Sequence, residues 1–309
     1  MSGWFSKATD FAMRPIRPER GVTLIELVIS IVIVGIVVGA VIFFLTPLRQ
    51  STDLALRAEL SDIADNALQR IGRDVKLALP NSVRIATSGS SVFLEFMAVR
   101  TAGRYRADGG GPTIIGENCS VDDGSGIPGS DQLVFDTPET CFTTLGKLPG
   151  AVAANDRLVL NNYGFADQNA YQTAGILNWV TITGVDTSHP DRDRVEFGAT
   201  TFQRALHDSP GKRFFVISGP VTYWCNMTAG TITRHDGYAP QLTPQPTTFG
   251  TSSLIAEHVL GGTGCFFDYA NLGPQLGLLT MRITLQRQLS GGASETVSLY
   301  HAVHVNNTP

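Results

Sequence analysis

Apolar positions are concentrated in one unbroken run near the start of the chain. Residues 22–45 read VTLIELVISIVIVGIVVGAVIFFL, and their only polar side chains are Thr23, Glu26 and Ser30. These 24 residues can cross a hydrocarbon layer of about 30 Å at about 1.5 Å of rise per residue. A buried helix of a soluble protein seldom runs this long without a charged face. The pattern therefore predicts a membrane-spanning helix.

The pattern becomes amphipathic after residue 53. In residues 53–79 apolar side chains recur at steps of three and four, the period of a helix with one buried face. They are Leu56, Leu60, Ile63, Ala64, Ala67, Leu68, Ile71, Val75 and Leu79. The opposite face carries Arg57, Glu59, Asp62, Asp65, Arg73 and Lys76. We interpret these charges as a solvated surface. We expect one helix over residues 22–79, ended by Pro80 and kinked at Pro47 because proline lacks a backbone donor.

Residues 80–309 show short alternating stretches divided by Gly, Pro and Asn, which is typical of β-strands joined by turns. The clearest pair is a hairpin of Leu278–Gln288 and Glu295–Val305 around Ser290-Gly291-Gly292. Further strands are predicted at Val92–Val99, Leu133–Phe135, Arg157–Asn161, Trp179–Thr183, Arg194–Phe197, Phe214–Ser218, Val221–Cys225 and Thr231–Arg234. Residues 101–131 and 235–264 are predicted to be long loops. The predicted fold class is α+β, with an antiparallel β-rich head on the second half of the helix.

Composition and charge narrow the functional classes. The chain has 309 residues, of which 43% are apolar and 16% charged, and this excludes a disordered chain. A net charge of −4 gives no basic excess, so we expect no nucleic-acid partner. The basic residues Lys7, Arg14, Arg17 and Arg20 precede the apolar run. The positive-inside rule therefore predicts a cytoplasmic N-terminus and a head on the other side of the membrane.

A lone acid follows a glycine at the start of the apolar run. The junction is Arg20-Gly21-Val22-Thr23-Leu24-Ile25-Glu26, and it resembles the type IV prepilin signature. In that family a membrane peptidase cuts after the glycine on the cytoplasmic side and then N-methylates the new terminus. The resemblance implies cleavage between Gly21 and Val22 and methylation of Val22. The first mature residue of the family is usually Phe or Met, and Val22 departs from that pattern.

The same resemblance implies a subunit-docking role for Glu26. A carboxylate costs about 2.5–3.5 kcal/mol near the bilayer centre and less near its surface. When pilins leave the bilayer and stack into a fibre, a buried carboxylate needs a positive or hydrogen-bonding partner. In the family picture that partner is the N-terminal ammonium of a neighbouring subunit. Here the pair would join Glu26 of one subunit to the Val22 nitrogen of another.

The resemblance also implies a layout and a set of partners. We expect a leader at 1–21, a transmembrane or fibre-core helix at 22–45, an amphipathic half of the helix at 46–79, and a head at 80–309. The protein would be a single-pass inner-membrane protein with a periplasmic head, and would later join a pilus at the cell surface. Expected partners are other major and minor pilins, the prepilin peptidase and the inner-membrane pilus assembly platform.

Several head segments resemble minor pilins of the mannose-sensitive haemagglutinin (MSHA) pilus system, O-type. They are residues 79–84 (LPNSVR), 219–225 (GPVTYWC) and 304–309 (HVNNTP). The resemblance implies a minor pilin that acts in assembly initiation or near the fibre tip. A pseudopilin of a type II secretion system shares the same leader and helix and remains an alternative. A pilus-borne adhesin is a second alternative, which an exposed aromatic cluster with adjacent acids would favour.

All four cysteines lie in the predicted head, which would fold in the oxidising periplasm. They are Cys119, Cys141, Cys225 and Cys265, and four cysteines allow three pairings. We favour the local pairs Cys119–Cys141 and Cys225–Cys265. A zinc site made of all four is the rival, but no two of them have the C-x2-C spacing.

The head shows no set of residues that indicates an enzyme, and we expect no metal and no cofactor. Ser209 and Lys212 match the S-x-x-K pattern of some acyl-transfer enzymes. Pro210 and Gly211 between them would break the helical turn that brings such a lysine beside the serine. We therefore interpret the match as chance, and predict a non-enzymatic structural protein.

Overall fold

The computed structural model describes residues 21–106, 132–153, 155–243, 250–273, 275–289 and 292–309. The chain divides into two compact units, one ending at Leu54 and one running from Ala55 to Pro309. Helix α1, Leu24–Lys76, begins in the first unit and ends in the second. The expectation of one long N-terminal helix is therefore confirmed, and the helix assignment continues through Pro47.

The C-terminal boundary of α1 differs from the predicted one. The helix ends at Lys76 and not at residue 79, because the next residues pair with strand β2, Ser91–Arg104. The Leu79 backbone N–H donates to the Met97 carbonyl over 2.8 Å, and the Leu77 carbonyl accepts from Val99 over 3.0 Å. These bonds replace the last helical turn. Pro80 therefore follows a short extended segment.

Strands dominate the rest of the described chain. They are β1 Arg84–Ser88, β2 Ser91–Arg104, β3 Glu139–Thr143, β4 Arg157–Leu160, β5 Trp179–Asp186, β6 Arg194–Thr200, β7 Arg213–Asn226, β8 Thr231–Asp236, β9 Thr251–Ala256, β10 Cys265–Gly273, β11 Leu276–Gln288 and β12 Ser294–Asn306, with a short helix α2 at Arg204–His207. A nine-stranded sheet has the order β1-β2-β7-β4-β5-β6-β3, and β8 and β9 continue from β7. A second sheet has the order β10-β11-β12. The pairings in both sheets are antiparallel.

The predicted C-terminal hairpin is confirmed as β11 and β12, which pair from Leu276↔Asn306 to Gln288↔Ser294. Three other expectations are wrong. Leu133–Phe135 forms no strand, although Leu133 and Phe135 are buried in the core. The segment 235–264, predicted to be a loop, contains β9. The loop predicted over 101–131 begins inside β2, which runs to Arg104. The remainder of that second loop, 107–131, lies outside the described residues.

Strand β7 joins two segments that the sequence divides at Gly219-Pro220. The strand runs unbroken from Arg213 to Asn226. Its pairing with β2 shifts register at this point, where Ala98 pairs with Gly219 and Val99 pairs with Ile217. Gly219 has a φ of 125°, a value that favours glycine. A β-bulge therefore accommodates the Gly-Pro pair without ending the strand.

The second half of α1 packs against both sheets and forms the first core. Its buried face consists of Leu60, Ala64, Ala67, Leu68, Ile71 and Val75, as the amphipathic period predicts. These side chains pack against residues of the nine-stranded sheet such as Leu94 and Tyr223, and of the second sheet such as Met281 and Ile283. Gly72 lets α1 approach β12, since a Cβ there would lie 3.1 Å from the Val303 side chain.

An ion-pair cluster fixes the end of α1 to the nine-stranded sheet. Asp74 Oδ2 accepts from the Tyr223 hydroxyl over 2.7 Å and from Arg234 Nε over 3.0 Å. Arg234 also pairs with Asp236. Burial, followed by the bond to Asp74, raises the pKa of Tyr223, so the phenol stays a donor. The cluster holds Asp74 in the last turn, where a carboxylate alone would oppose the helix dipole.

Two further cores lie in the same unit. The second core is aromatic, with Phe142 in edge-on contact with Phe214 at 5.1 Å between ring centroids. The third core is smaller and includes Leu79, Met97 and Ile217. Strand β7 supplies side chains to all three cores, through Tyr223 in the first, Phe214 in the second and Ile217 in the third.

Candidate functional site

Thr23 sets the point at which α1 begins. Its Oγ1 accepts a hydrogen bond from the Glu26 backbone N–H over 3.3 Å, and its carbonyl accepts from Glu26 and Leu27 over 3.0 and 3.1 Å. Thr23 is therefore the N-cap, and Glu26 occupies the third helical position. The Gly21–Val22 peptide bond consequently lies outside the helix. Both residues are exposed.

Glu26 is an exposed acid on a surface whose other polar side chains are Thr23 and Ser30. The Ser30 hydroxyl donates to the Glu26 carbonyl over 2.7 Å. The Glu26 carboxylate makes no ion pair within the described part of the chain. An acid placed this way is available to a partner outside its own chain.

The first turns of α1 have the surface of a membrane span. Among the described residues, one helix, Leu24–Phe43, is long and apolar enough to cross a bilayer, and none of it is buried within the chain. Leu24 is 82% exposed and Phe43 is 76% exposed. An apolar surface of this extent needs a lipid or protein environment. A signal sequence would meet the same criterion, and the residues at the Gly21 junction are what distinguish this helix.

A disulfide joins the two sheets. Cys225 of β7 is bonded to Cys265 of β10, with 6.5 Å between their Cα atoms, so this predicted pair is confirmed. Cys141 lies in β3 and is buried. Cys119 lies outside the described residues, and the pair Cys119–Cys141 remains a prediction.

A buried charge in β2 was missed by the sequence analysis. Glu95 in β2 has no exposed surface. Its Oε2 accepts from Arg84 Nε over 2.6 Å, and its Oε1 accepts from the Tyr238 hydroxyl over 3.0 Å. Burial raises the pKa of Glu95, and the contact with Arg84 opposes that shift. One acid inside the apolar stretch VFLEFM (92–97) is the sequence signal that could have indicated a buried ion pair.

Arg84 uses its remaining donors to hold a second segment in place. Its NH2 group donates to the Gln241 and Thr243 carbonyls over 2.6 and 3.1 Å, and its NH1 group donates to Leu242 over 2.8 Å. The guanidinium lies 3.5 Å from the centre of the Tyr171 ring. These bonds fasten residues 241–243 to β1.

The S-x-x-K match is not arranged as a reactive pair. Ser209 is fully buried, and its hydroxyl donates to the Pro309 carbonyl over 3.3 Å. Lys212 Nζ instead contacts both carboxylate oxygens of Asp208, at 2.7 and 2.6 Å. Within the described residues no group of three or more His, Cys, Asp or Glu is placed to hold a metal ion.

His207 is a buried histidine held in its neutral form. Its Nδ1 accepts from the Gln203 backbone N–H over 3.1 Å, and its Nε2 lies 3.0 Å from the Asp167 carbonyl oxygen. If Nδ1 were protonated, it would face the Gln203 N–H and could no longer accept this hydrogen bond. Burial lowers the pKa of His207 below the usual 6.5.

Acidification is expected to destabilise the head through His207. A depressed folded-state pKa contributes stability above the unfolded pKa of about 6.5 that is lost as the pH falls below it. In urea unfolding of the full chain in detergent, His207→Gln should reduce the drop in midpoint between pH 7.5 and pH 5.5. Part of the drop should remain in this variant, because burial also lowers the pKa of His235. The exposed control His304→Gln should retain the full drop, and an unchanged drop in His207→Gln would contradict the prediction.

A comparison with known protein families finds a match in the N-terminal region. Residues 16–42 match the family model described as Prokaryotic N-terminal methylation motif. The matched segment includes the Gly21 junction, Glu26 and most of the apolar helix. No curated protein and no solved structure matches the chain. The architecture is α+β and pilin-like, with an apolar N-terminal helix followed by a predominantly antiparallel β-sheet domain. The chain therefore carries the N-terminal methylation motif of prokaryotic prepilin-like proteins of the type IV pilin family.

Proposed function

We propose that the chain is a minor subunit of a type IV pilus. It is made as a prepilin in the inner membrane, cut between Gly21 and Val22 by the prepilin peptidase, methylated at Val22 and incorporated into the fibre. The observation that carries the proposal is the exposed Gly21–Val22 bond directly before a capped apolar helix with one acid. A peptidase needs such a bond outside regular helix. The same junction leaves Val22 as the new terminus.

The role proposed for Glu26 follows from its surroundings. The carboxylate makes no ion pair in the described part of its own chain, and apart from Thr23 and Ser30 the side chains around it on α1 are apolar. In a fibre built from such helices, an unpaired carboxylate would be costly to bury. A new ammonium at Val22 of an adjacent subunit neutralises it and specifies the axial position at which the two helices dock.

A low-copy position is the proposed place of the subunit. Residues 80–309 supply 230 residues of head, a large volume for a subunit repeated throughout a thin fibre. We infer a role in assembly initiation or near the tip, in an MSHA-like system. Two of the segments that carry that resemblance are in contact, since Asn81 donates through its backbone N–H and its Nδ2 to Asn307, each over 3.1 Å.

N-terminal sequencing tests the processing step. Protein from a strain with the peptidase should begin at Val22, with a methylated terminus, and protein from a strain without it should retain the leader. Quantitative mass spectrometry of purified fibres should then find the chain at a small fraction of the major pilin. A different mature terminus would refute the proposal. Equal abundance with the major pilin would refute the low-copy role. Absence from fibres together with a secretion defect would identify a type II pseudopilin.

A further inference from the structure

The ends of β5 and β6 diverge and leave a cleft between the two strands. The strands pair with each other over residues 182–186 of β5. The preceding residues 179–181 pair with β4 and not with β6, and Thr200 at the end of β6 pairs with β3. The open space has a volume of about 700 Å³, which is within the usual range of small-molecule sites. We call it the β5–β6 cleft.

The lining of the cleft carries no ionisable side chain. Twelve residues contribute to it, from the loop 175–177, from β5 and from the segment 198–203. Not one of them is Asp, Glu, Lys, Arg or His, although 16% of the chain is charged. An ionic ligand would lose water here and would find no opposite charge among these residues. The lining therefore favours a neutral ligand.

Trp179 forms an apolar wall whose orientation is fixed. Its indole Nε1 donates to the Gln172 carbonyl over 2.8 Å, and the Arg157 guanidinium carbon lies 3.8 Å from its ring centre. The second contact is a cation–π interaction. Ile176 and Leu177 add apolar surface to the same cleft. Because the ring is held before any ligand arrives, little side-chain freedom is lost on binding.

Hydroxyl and amide groups line another part of the cleft. Thr181, Thr183 and Thr201 are exposed, and Gln203 is half-buried. These four side chains make no hydrogen bond with any described residue. Each hydroxyl can donate one bond and accept others, and the amide can also do both. The cleft therefore offers several neutral polar groups to a ligand beside one aromatic ring.

We propose that the β5–β6 cleft binds a neutral saccharide. A pyranose ring has an apolar face of C–H groups and a rim of hydroxyls, and the cleft presents an indole together with hydroxyl and amide groups. A wholly apolar ligand would strip water from the threonine hydroxyls without replacing its hydrogen bonds. A charged sugar would lack an opposite charge. The inference goes beyond the proposed function and does not rest on it, because neither Gly21 nor Glu26 takes part.

Saccharide binding by the full-length protein tests the proposal. The protein is purified in a polyoxyethylene detergent, because detergents with sugar headgroups would compete for the cleft. Saturation-transfer difference NMR is run with neutral trisaccharides of glucose, galactose and mannose. At least one of them should give a saturable signal, strongest at the C–H protons of a ring. No signal from any of the three, or tighter binding of trigalacturonate or of a capped neutral pentapeptide, overturns the proposal.

Filling the cleft should weaken binding without disturbing the fold. Gly198 lines the cleft, and a Cβ built there meets no heavy atom within 4 Å beyond its chain neighbours. The side chain of Gly198→Leu therefore enters open space and should weaken saccharide binding by at least about tenfold. Ala302→Leu, at an exposed position of β12, is the matched enlargement elsewhere and should bind like wild type. Unchanged affinity of Gly198→Leu would place the saccharide outside the cleft and refute the proposal.

Removing hydroxyls tests the polar part of the site. Thr181→Val/Thr183→Val keeps two exposed β-branched side chains of β5 and deletes both hydroxyls. The affinity should therefore fall about tenfold while the urea midpoint stays near that of wild type. The control Thr87→Val/Thr296→Val makes the same change at exposed positions of β1 and β12. Equal affinities of the two double variants would contradict the proposed saccharide contact.

Failure of the cleft proposal and failure of the proposed function give different results. The protein used for NMR is made in a strain with the prepilin peptidase, and its N-terminus is sequenced. A Val22 terminus without saccharide binding refutes the cleft proposal alone. A retained leader together with saccharide binding refutes the processing proposal alone.

Discussion

Removing the disulfide between β7 and β10 is expected to lower the free energy of unfolding by about 2–5 kcal/mol. Cys225 and Cys265 are separated by 40 positions in the sequence and both are buried. Without the bond, the unfolded chain gains the freedom of a loop of that length. The change is measured by urea unfolding of the full-length wild-type protein and of Cys225→Ala/Cys265→Ala in detergent, monitored by tryptophan fluorescence.

Two comparisons isolate the covalent contribution. Cys225→Ser/Cys265→Ser places hydroxyls in the same buried site, so it should be at least as unstable as the alanine pair. Wild-type protein unfolded with a reductant should move toward the variants. A loss below about 1 kcal/mol in the alanine pair would mean that packing between the sheets, and not the crosslink, carries the stability.

Glu26→Leu is expected to leave removal of the leader largely intact and to reduce incorporation into fibres by at least about tenfold. The bond to be cut is at Gly21–Val22, and Thr23 still caps the helix through its own side chain. What the variant loses is the carboxylate proposed to pair with the ammonium of the next subunit, and breaking a buried pair costs about 3–5 kcal/mol. Immunoblots of whole cells and of sheared fibres measure the two steps separately.

Matched variants decide whether charge is the cause. Glu26→Gln keeps the size and removes the charge, so it should fail like the leucine variant. Ser30→Leu changes the next polar position of the same helix, where the hydroxyl donates to the Glu26 carbonyl, and should assemble normally. Normal assembly of both Glu26 variants would exclude the proposed charge pair.

The helix and the junction could be predicted because their signals are local. The apolar run, Gly21 and the lone Glu26 lie within a few turns of one another, and a helix expresses such patterns directly in its faces. The buried face at Leu60, Ala64 and Ile71 follows from a three- and four-residue period. The C-terminal hairpin could be predicted for the same reason, since β11 and β12 are neighbours in the sequence.

Features that depend on distant pairing were not predicted. β9 is polar and mostly exposed, so its strand character comes from pairing with β8 and not from alternation. Leu133 and Phe135 alternate like a strand, yet Asp136 adopts a φ of 64° and its N–H bonds to the Phe202 carbonyl. The buried pair of Arg84 and Glu95 depends on β1 meeting β2, and its loop contacts depend on a segment more than 150 residues away.

The path of β7 through the head affects how the head unfolds. Because one strand contributes to all three cores, opening any one core disturbs a strand against which the other two also pack. We therefore expect the head to unfold in urea in a single cooperative transition. For the proposed pilus subunit, a head without a separately melting part would keep its interior covered while the subunit enters the fibre.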